Sequence, residues 1–225
     1  MLRLFFFISL GIFHVLGSSL FAQDTIRTIA VGDSYTIGTG VSPHQAWPSL
    51  VVEHLKREGT PVELVANLAR GGVTTEDVLD RQIPLCRSLR PGLVTLLIGV
   101  NDWVRGVDEE SFKRNYHLIL DQMQEILPNK KRLILLTIPD FSVTPVGAKF
   151  AGGRNIAEGV SSFNAIILKE AEARGLKSVD LYPVSRQMGK NPALIAPDNL
   201  HPSTQTHELW EKVIYTAMKE VLQQE

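Results

Sequence analysis

In the stretch "IAVGDSYTIG" (residues 29–38), Ser34 follows an apolar run and a glycine, where a buried strand should end. A serine hydroxyl is a weak nucleophile unless a base takes its proton, and the base works best when a third group fixes its tautomer. The chain has six histidines from which such a base could come. His14 lies in an apolar N-terminal segment, and His44, His54 and His117 fall at or inside expected helices with no acid beside them in a loop. The other two lie in "APDNLHPSTQTHELW" (residues 196–210). Asp198 and His201 are three apart in a proline-flanked loop, so the carboxylate can reach one ring nitrogen and leave the other facing outward. His207, inside the helix expected to follow, is less well placed.

Attack on a carbonyl also needs donors for the oxyanion that develops. Backbone N–H groups at a glycine turn suit that role because no side chain blocks the approach. Gly71 and Gly72 in "NLARGGVTTEDVL" (residues 67–79) supply such a turn, and Asn101 in "LLIGVNDW" (residues 96–103) supplies a side-chain amide. Taken alone, each motif reads as an ordinary turn or polar loop. Their joint appearance in the order Ser, Gly, Asn, Asp-x-x-His is what carries weight.

The elements that must position these groups read as alternating strands and helices. Aliphatic and β-branched runs at residues 26–31, 62–66, 93–98, 132–138 and 177–181 are continuous rather than alternating, as for strands covered on both faces. Helical spacing predicts helices in the segment after Trp47 and over about 74–85, 108–127, 155–174 and 203–222, with Gly175 and Pro128 as stops. This pattern implies a three-layer α/β domain on a five-stranded sheet. In such folds ligands bind beyond the carboxyl ends of the strands. Ser34 and Asn101 both fall on that rim.

Composition narrows the function classes. The 23 basic and 24 acidic residues are spread along the chain with no sustained basic block, so nucleic acid is a poor candidate partner. Residues 1–22 have the layout of a secretory signal peptide, with Arg3, an apolar stretch from Leu4 to about Leu16 and small residues before Ala22. An uncleaved anchor is the alternative, since that stretch approaches the roughly 20 residues that span a bilayer. Residues 23–225 then form one exported domain, periplasmic or extracellular. Cys86, the sole cysteine, reads as a small apolar residue near a helix end. No metal-binding helix, phosphate-cradling loop, Gly-x-Ser-x-Gly elbow or Ser-x-x-Lys pair occurs, and no cofactor is expected.

From Gly32-Asp33-Ser34 to Asp198-x-x-His201, the mature sequence resembles the SGNH, or GDSL-type, family of serine esterases and lipases. The segment "QAWPSLVVEHL" (residues 45–55) is similar to the exported thioesterase and lysophospholipase branch. The resemblance implies a flavodoxin-like αβα sandwich, its parallel sheet in the order 2-1-3-4-5. It implies Ser34 as nucleophile, His201 as base and Asp198 as its orienting acid. The oxyanion hole would consist of the Ser34 N–H, the Gly72 N–H and the Asn101 amide, and Asp33 would bond loop backbone. Two positions depart from the family pattern: Tyr35 stands where leucine is usual, and Gly71 where many members have serine. The reaction implied is hydrolysis of a small-molecule, lipid or glycan ester. The alternatives are a carbohydrate O-deacetylase and a non-catalytic glycan-binding protein on the same fold. Residues 139–154 would form either a wall or lid over the acyl pocket, or a solvent loop.

Overall fold

The computed structural model describes residues 24–224; the export segment expected over residues 1–22 lies outside them. The five expected strands form as β1 (Ile26–Gly32), β2 (Val62–Asn67), β3 (Leu93–Leu97), β4 (Leu133–Leu136) and β5 (Lys177–Val179). They make one wholly parallel sheet in the order β2-β1-β3-β4-β5. Every residue of β3 and β4 is buried, which accounts for their unbroken apolar runs: helices cover both faces.

Nine α-helical segments lie among the described residues. They are α1 (Ser34–Ile37), α2 (Trp47–Arg57), α3 (Thr75–Asp77), α4 (Ile83–Leu89), α5 (Val100–Val104), α6 (Glu109–Ile126), α7 (Ile156–Arg174), α8 (Tyr182–Ser185) and α9 (Thr204–Gln223). Helices α2 and α9 pack together, while α6 packs on α4 and α7. Stacked Phe112 and Phe163, with ring centres 4.1 Å apart, join α6 to α7. Trp47 and Trp210, both fully buried, anchor α2 and α9. Among the described residues no helix is long and apolar enough to cross a membrane.

The single helix expected over 74–85 is instead interrupted. A wide π-helical turn, Val78–Gln82, separates α3 from α4, and the Ile83 N–H bonds back five residues to the Val78 carbonyl. Pro84 follows directly and has no N–H to continue a regular ladder, which favours a break here.

The wide turn places Gln82 under the end of β1. Its buried amide accepts from the Gly32 N–H at 3.0 Å and donates to the Gly32 carbonyl at 2.9 Å. Asn164 of α7 grips Ile138, just past β4, in the same way at 2.7 and 2.9 Å. A strand leaving the sheet exposes one donor and one acceptor with no ladder partner, and a primary amide satisfies both at once. Replacing Gln82 by Leu should therefore leave the buried Gly32 N–H without a partner and its carbonyl with the Arg70 N–H alone, at a cost of about 1–3 kcal/mol of stability. Urea denaturation checks this, and a midpoint equal to wild type would show that the clamp contributes nothing.

Candidate active site

Ser34 is the first residue of α1, immediately beyond β1. Gly32 precedes it because no side chain fits: a Cβ there would lie 2.3 Å from the Leu97 carbonyl at the end of β3. Asp33 caps α1, its carboxylate accepting from the Tyr35 N–H at 3.0 Å. This is the backbone-bonding role expected of it. Its second oxygen is buried without a partner among the described residues. Burial pushes its pKa up to about 8, against the Tyr35 N–H and with a smaller push from nearby Asp102. At neutral pH Asp33 is thus mostly a neutral acid.

The glycine turn comes to Ser34 through an extension of the β2–β1 pairing. The Leu68 N–H bonds the Ala30 carbonyl and the Arg70 N–H bonds the Gly32 carbonyl, so residues 71 and 72 emerge beside the turn that carries Ser34. Gly72 has a positive φ of 77°, which favours glycine, and a Cβ at either glycine would meet open space. Neither the Ser34 N–H nor the Gly72 N–H donates to any other described residue. Asn101, on α5 just after β3, gives one amide hydrogen to the Val73 carbonyl at 2.9 Å and retains another.

The base loop is closed on itself by an antiparallel bridge between Ile195 and Pro202 and by the Ala196 N–H bonding the His201 carbonyl at 2.8 Å. Within it Asp198 accepts from the backbone of Leu200 and His201 through one oxygen and meets His201 Nδ1 at 2.5 Å through the other. Partial burial pushes the Asp198 carboxyl up. The His201 N–H and imidazole and the Leu200 N–H outweigh that and hold it below the ordinary carboxylate range. An ionised Asp198 on Nδ1 leaves Nε2 for chemistry. His207 sits in the core instead, its Nδ1 accepting from the Trp47 N–H at 3.3 Å, and burial lowers its pKa to about 4. His54 and His117 meet acids on and between helices, His54 at Glu58 and Glu211 and His117 at Asp121 and Glu170.

Ser34, Gly71, Gly72, Asn101 and His201 line one cavity of 290 Å³, with Asp198 behind His201. No hydrogen bond joins Ser34 Oγ to His201 in this conformation, and catalytic pairs commonly tighten only on substrate. The rest of the lining is largely apolar, including Tyr35, Val100, Val104, Phe141, Phe150 and Leu200. Tyr35, unusual by sequence, packs edge-on against His201 at 5.8 Å and Trp210 at 6.0 Å, so it backs the imidazole as well as lining the cavity. Residues 139–154 supply Phe141 and Phe150 as a wall. That wall is tied down: the Val146 N–H bonds the Asn199 carbonyl, and Arg154 donates to the Trp103 and Val104 carbonyls while lying 4.1 Å over the Trp103 ring.

Asp102, next to Asn101, belongs to an Asn-Asp pair that reads by sequence as ordinary loop chemistry. It is buried, and its two oxygens accept from the Thr75 N–H and one also from the Thr75 hydroxyl, at 2.5–3.1 Å. Burial raises its pKa despite those bonds. Only its place beside Asn101 in an otherwise apolar strand-end motif could have signalled this. Among the described residues no cluster of three or more His, Cys, Asp or Glu is placed to hold a metal.

A testable consequence concerns Asp33. Between its ordinary pKa of 3.8 and about 8, the folded state keeps a proton that the unfolded chain releases. Stability must then fall as pH rises through that window, with a slope of up to about 1.4 kcal/mol per pH unit. Asp33→Asn keeps an acceptor for Tyr35 and cannot ionise. Its stability relative to wild type should climb steadily between about pH 5 and about pH 8 in urea denaturation. A difference that does not change with pH would contradict the neutral-acid assignment.

Comparison with known proteins bears on the family and the fold. The family model described as "GDSL-like Lipase/Acylhydrolase family" matches residues 30–209. An arylesterase of Vibrio mimicus is 26% identical over 134 residues, covering 60% of this chain and 66% of its own length. Esterase TesA of Pseudomonas aeruginosa is 31% identical over 87 residues, covering 39% of this chain and 43% of its own length. The chain thus spans under two thirds of either curated relative. Among solved structures, Axe2, an acetylxylan esterase from Geobacillus stearothermophilus, superposes with a TM-score of 0.69 at 18% identity, covering 87% of this chain and 94% of that one. The psychrotrophic esterase EstA from Pseudoalteromonas sp. gives a TM-score of 0.68 at 18% identity, covering 88% and 98%. At such identities these two speak for the fold alone. The family match spans most of the chain, and the chain belongs to the GDSL-like lipase/acylhydrolase family of ester hydrolases.

Proposed function

We propose that the protein is a serine esterase that hydrolyses carboxylic esters of short to medium acyl chains through an acyl-enzyme on Ser34. The observation that carries this reading is the shared cavity, where a hydroxyl, an imidazole backed by an ionised acid, two unengaged N–H groups and a side-chain amide meet apolar walls. Ser34 Oγ adds to the ester carbonyl as His201 Nε2 takes its proton. Asp198 stabilises the imidazolium. The Ser34 and Gly72 N–H groups and Asn101 Nδ2 hold the oxyanion. Collapse of the adduct expels the alcohol, which takes the proton from His201. Water, activated by the same imidazole, then releases the acid and restores the serine.

The apolar walls favour an acyl group over a sugar, and 290 Å³ is small for a ligand pocket, whose usual range is about 300–1,000 Å³. Residues 1–22 are read as an export signal and 23–225 as a single hydrolase domain acting in the periplasm or outside the cell.

Ser34→Ala should lower turnover of a chromogenic ester about 10⁴-fold or more, and only the wild type should be labelled by a fluorophosphonate. Unchanged turnover would sink the nucleophile assignment, and a wild type that resists labelling would revive a non-catalytic glycan binder. Across p-nitrophenyl esters of increasing length, kcat/KM should peak at short to medium chains and fall for long ones. Faster acetate release from acetylated xylo-oligosaccharides than from any of these esters would favour the O-deacetylase instead.

A further inference from the structure

Four consecutive residues of the glycine loop each have one backbone group held by a polar side chain. The Gly72 carbonyl accepts from Arg105 Nη2 at 2.6 Å and the Val73 carbonyl accepts from Asn101 Nδ2 at 2.9 Å. The Thr74 N–H donates to Asp77 at 3.0 Å, and the Thr75 N–H donates to both oxygens of Asp102 at 3.0 and 3.1 Å. Three of these four side chains come from α5 or the residue after it. One short element therefore carries the Asn101 amide and also fixes the loop that carries the Gly72 N–H.

Gly72 is the weak point of this loop. It lacks a side chain, its φ is positive, and nothing packs where a Cβ would be. Its N–H must stay unengaged to meet an oxyanion, so that group cannot hold the residue in place. The carbonyl is the one polar handle left, and Arg105 grips it. The bond is charge-assisted and short, hence stronger than a neutral one. Arg105 is otherwise poorly placed to stabilise the fold: its side chain is 57% exposed, and its ion partner Asp77 lies 4.0 Å away. Exposed pairs at such distances contribute little.

We infer that Arg105 is a positioning residue of the oxyanion hole, setting the direction of the Gly72 N–H through the Gly72 carbonyl. The inference rests on the esterase reading above. The interaction acts on the tetrahedral adduct and not on the bound ester, so its loss should appear in kcat and spare KM.

The test is Arg105→Ala, measured with a p-nitrophenyl ester and with a trifluoromethyl ketone. Ser34 Oγ adds to the ketone carbon and passes its proton to His201, leaving a stable oxyanion in the hole. Deleting an oxyanion donor outright costs about 10²–10³ in kcat, so loss of its tie should cost roughly 10- to 30-fold. KM should stay within about twofold, and the ketone Ki should rise by the factor that kcat/KM falls. Millimolar guanidinium added to the same variant should restore part of the rate, which also shows that the protein is folded. A kcat within about twofold of wild type would overturn the inference, as would a fall in kcat with an unchanged ketone Ki. So would a loss that guanidinium does not restore, accompanied by a lowered thermal midpoint. The esterase reading fails separately: it falls if Ser34→Ala retains wild-type turnover, whatever Arg105→Ala does.

Discussion

The close approach of β1 to β3 at Gly32 is the constraint from which the site follows. A methyl group there would overlap the Leu97 carbonyl, so the strand must end without a side chain and turn out of the sheet. The turn leaves the polar groups of Gly32 without strand partners on one side, and Gln82 meets them. Asp33 is carried inward as a helix cap, and Ser34 is delivered to the rim. The Gly32 carbonyl also receives the Arg70 N–H, which draws the glycine loop alongside. Ser34 and the glycine loop are thus referenced to one backbone position.

Three acids surround the site, and their environments divide the charge. Burial raises Asp33 and Asp102, one beside Ser34 and the other beside Asn101, and so disfavours negative charge next to the proposed oxyanion donors. Asp198 is held low by its hydrogen bonds and keeps its charge against Nδ1 of His201, where the proposed mechanism forms an imidazolium. Carboxyl groups of one chemical type thereby take opposite protonation preferences according to burial and partners.

Much of this was legible in the amino-acid sequence. The apolar runs located all five strands to within a few residues, because strands covered on both faces leave an unbroken signal. The strand order came through resemblance to a family, since pairing between distant segments leaves no local mark. Short α1, α5 and α8 escaped notice because segments of four or five residues hold little more than one helical period. The break in the helix expected over 74–85 had a visible cause in Pro84, but its purpose, aiming Gln82 at Gly32, depends on a contact 50 residues away. Ser34, Asn101, Asp198 and His201 were nameable because each sits at a strand end or in a distinctive loop. Arg105 and Asp102 were not, because an exposed arginine and an Asn-Asp pair are common surface chemistry until the loop they hold is seen.

The base loop has a consequence for how the molecule comes into being. Ser34 lies near the start of the described chain and His201 near its end, and β1 occupies the inside of the sheet while the His201 loop is bridged by Ile195 and Pro202 just before α9. A parallel sheet whose neighbours are distant in sequence has high contact order and assembles slowly. Ser34 and His201 are therefore brought together by contacts between the two ends of the described chain, where α9 packs on α2. A chain in which those ends have not met holds Ser34 apart from His201, so the proposed mechanism ties hydrolysis to completed folding.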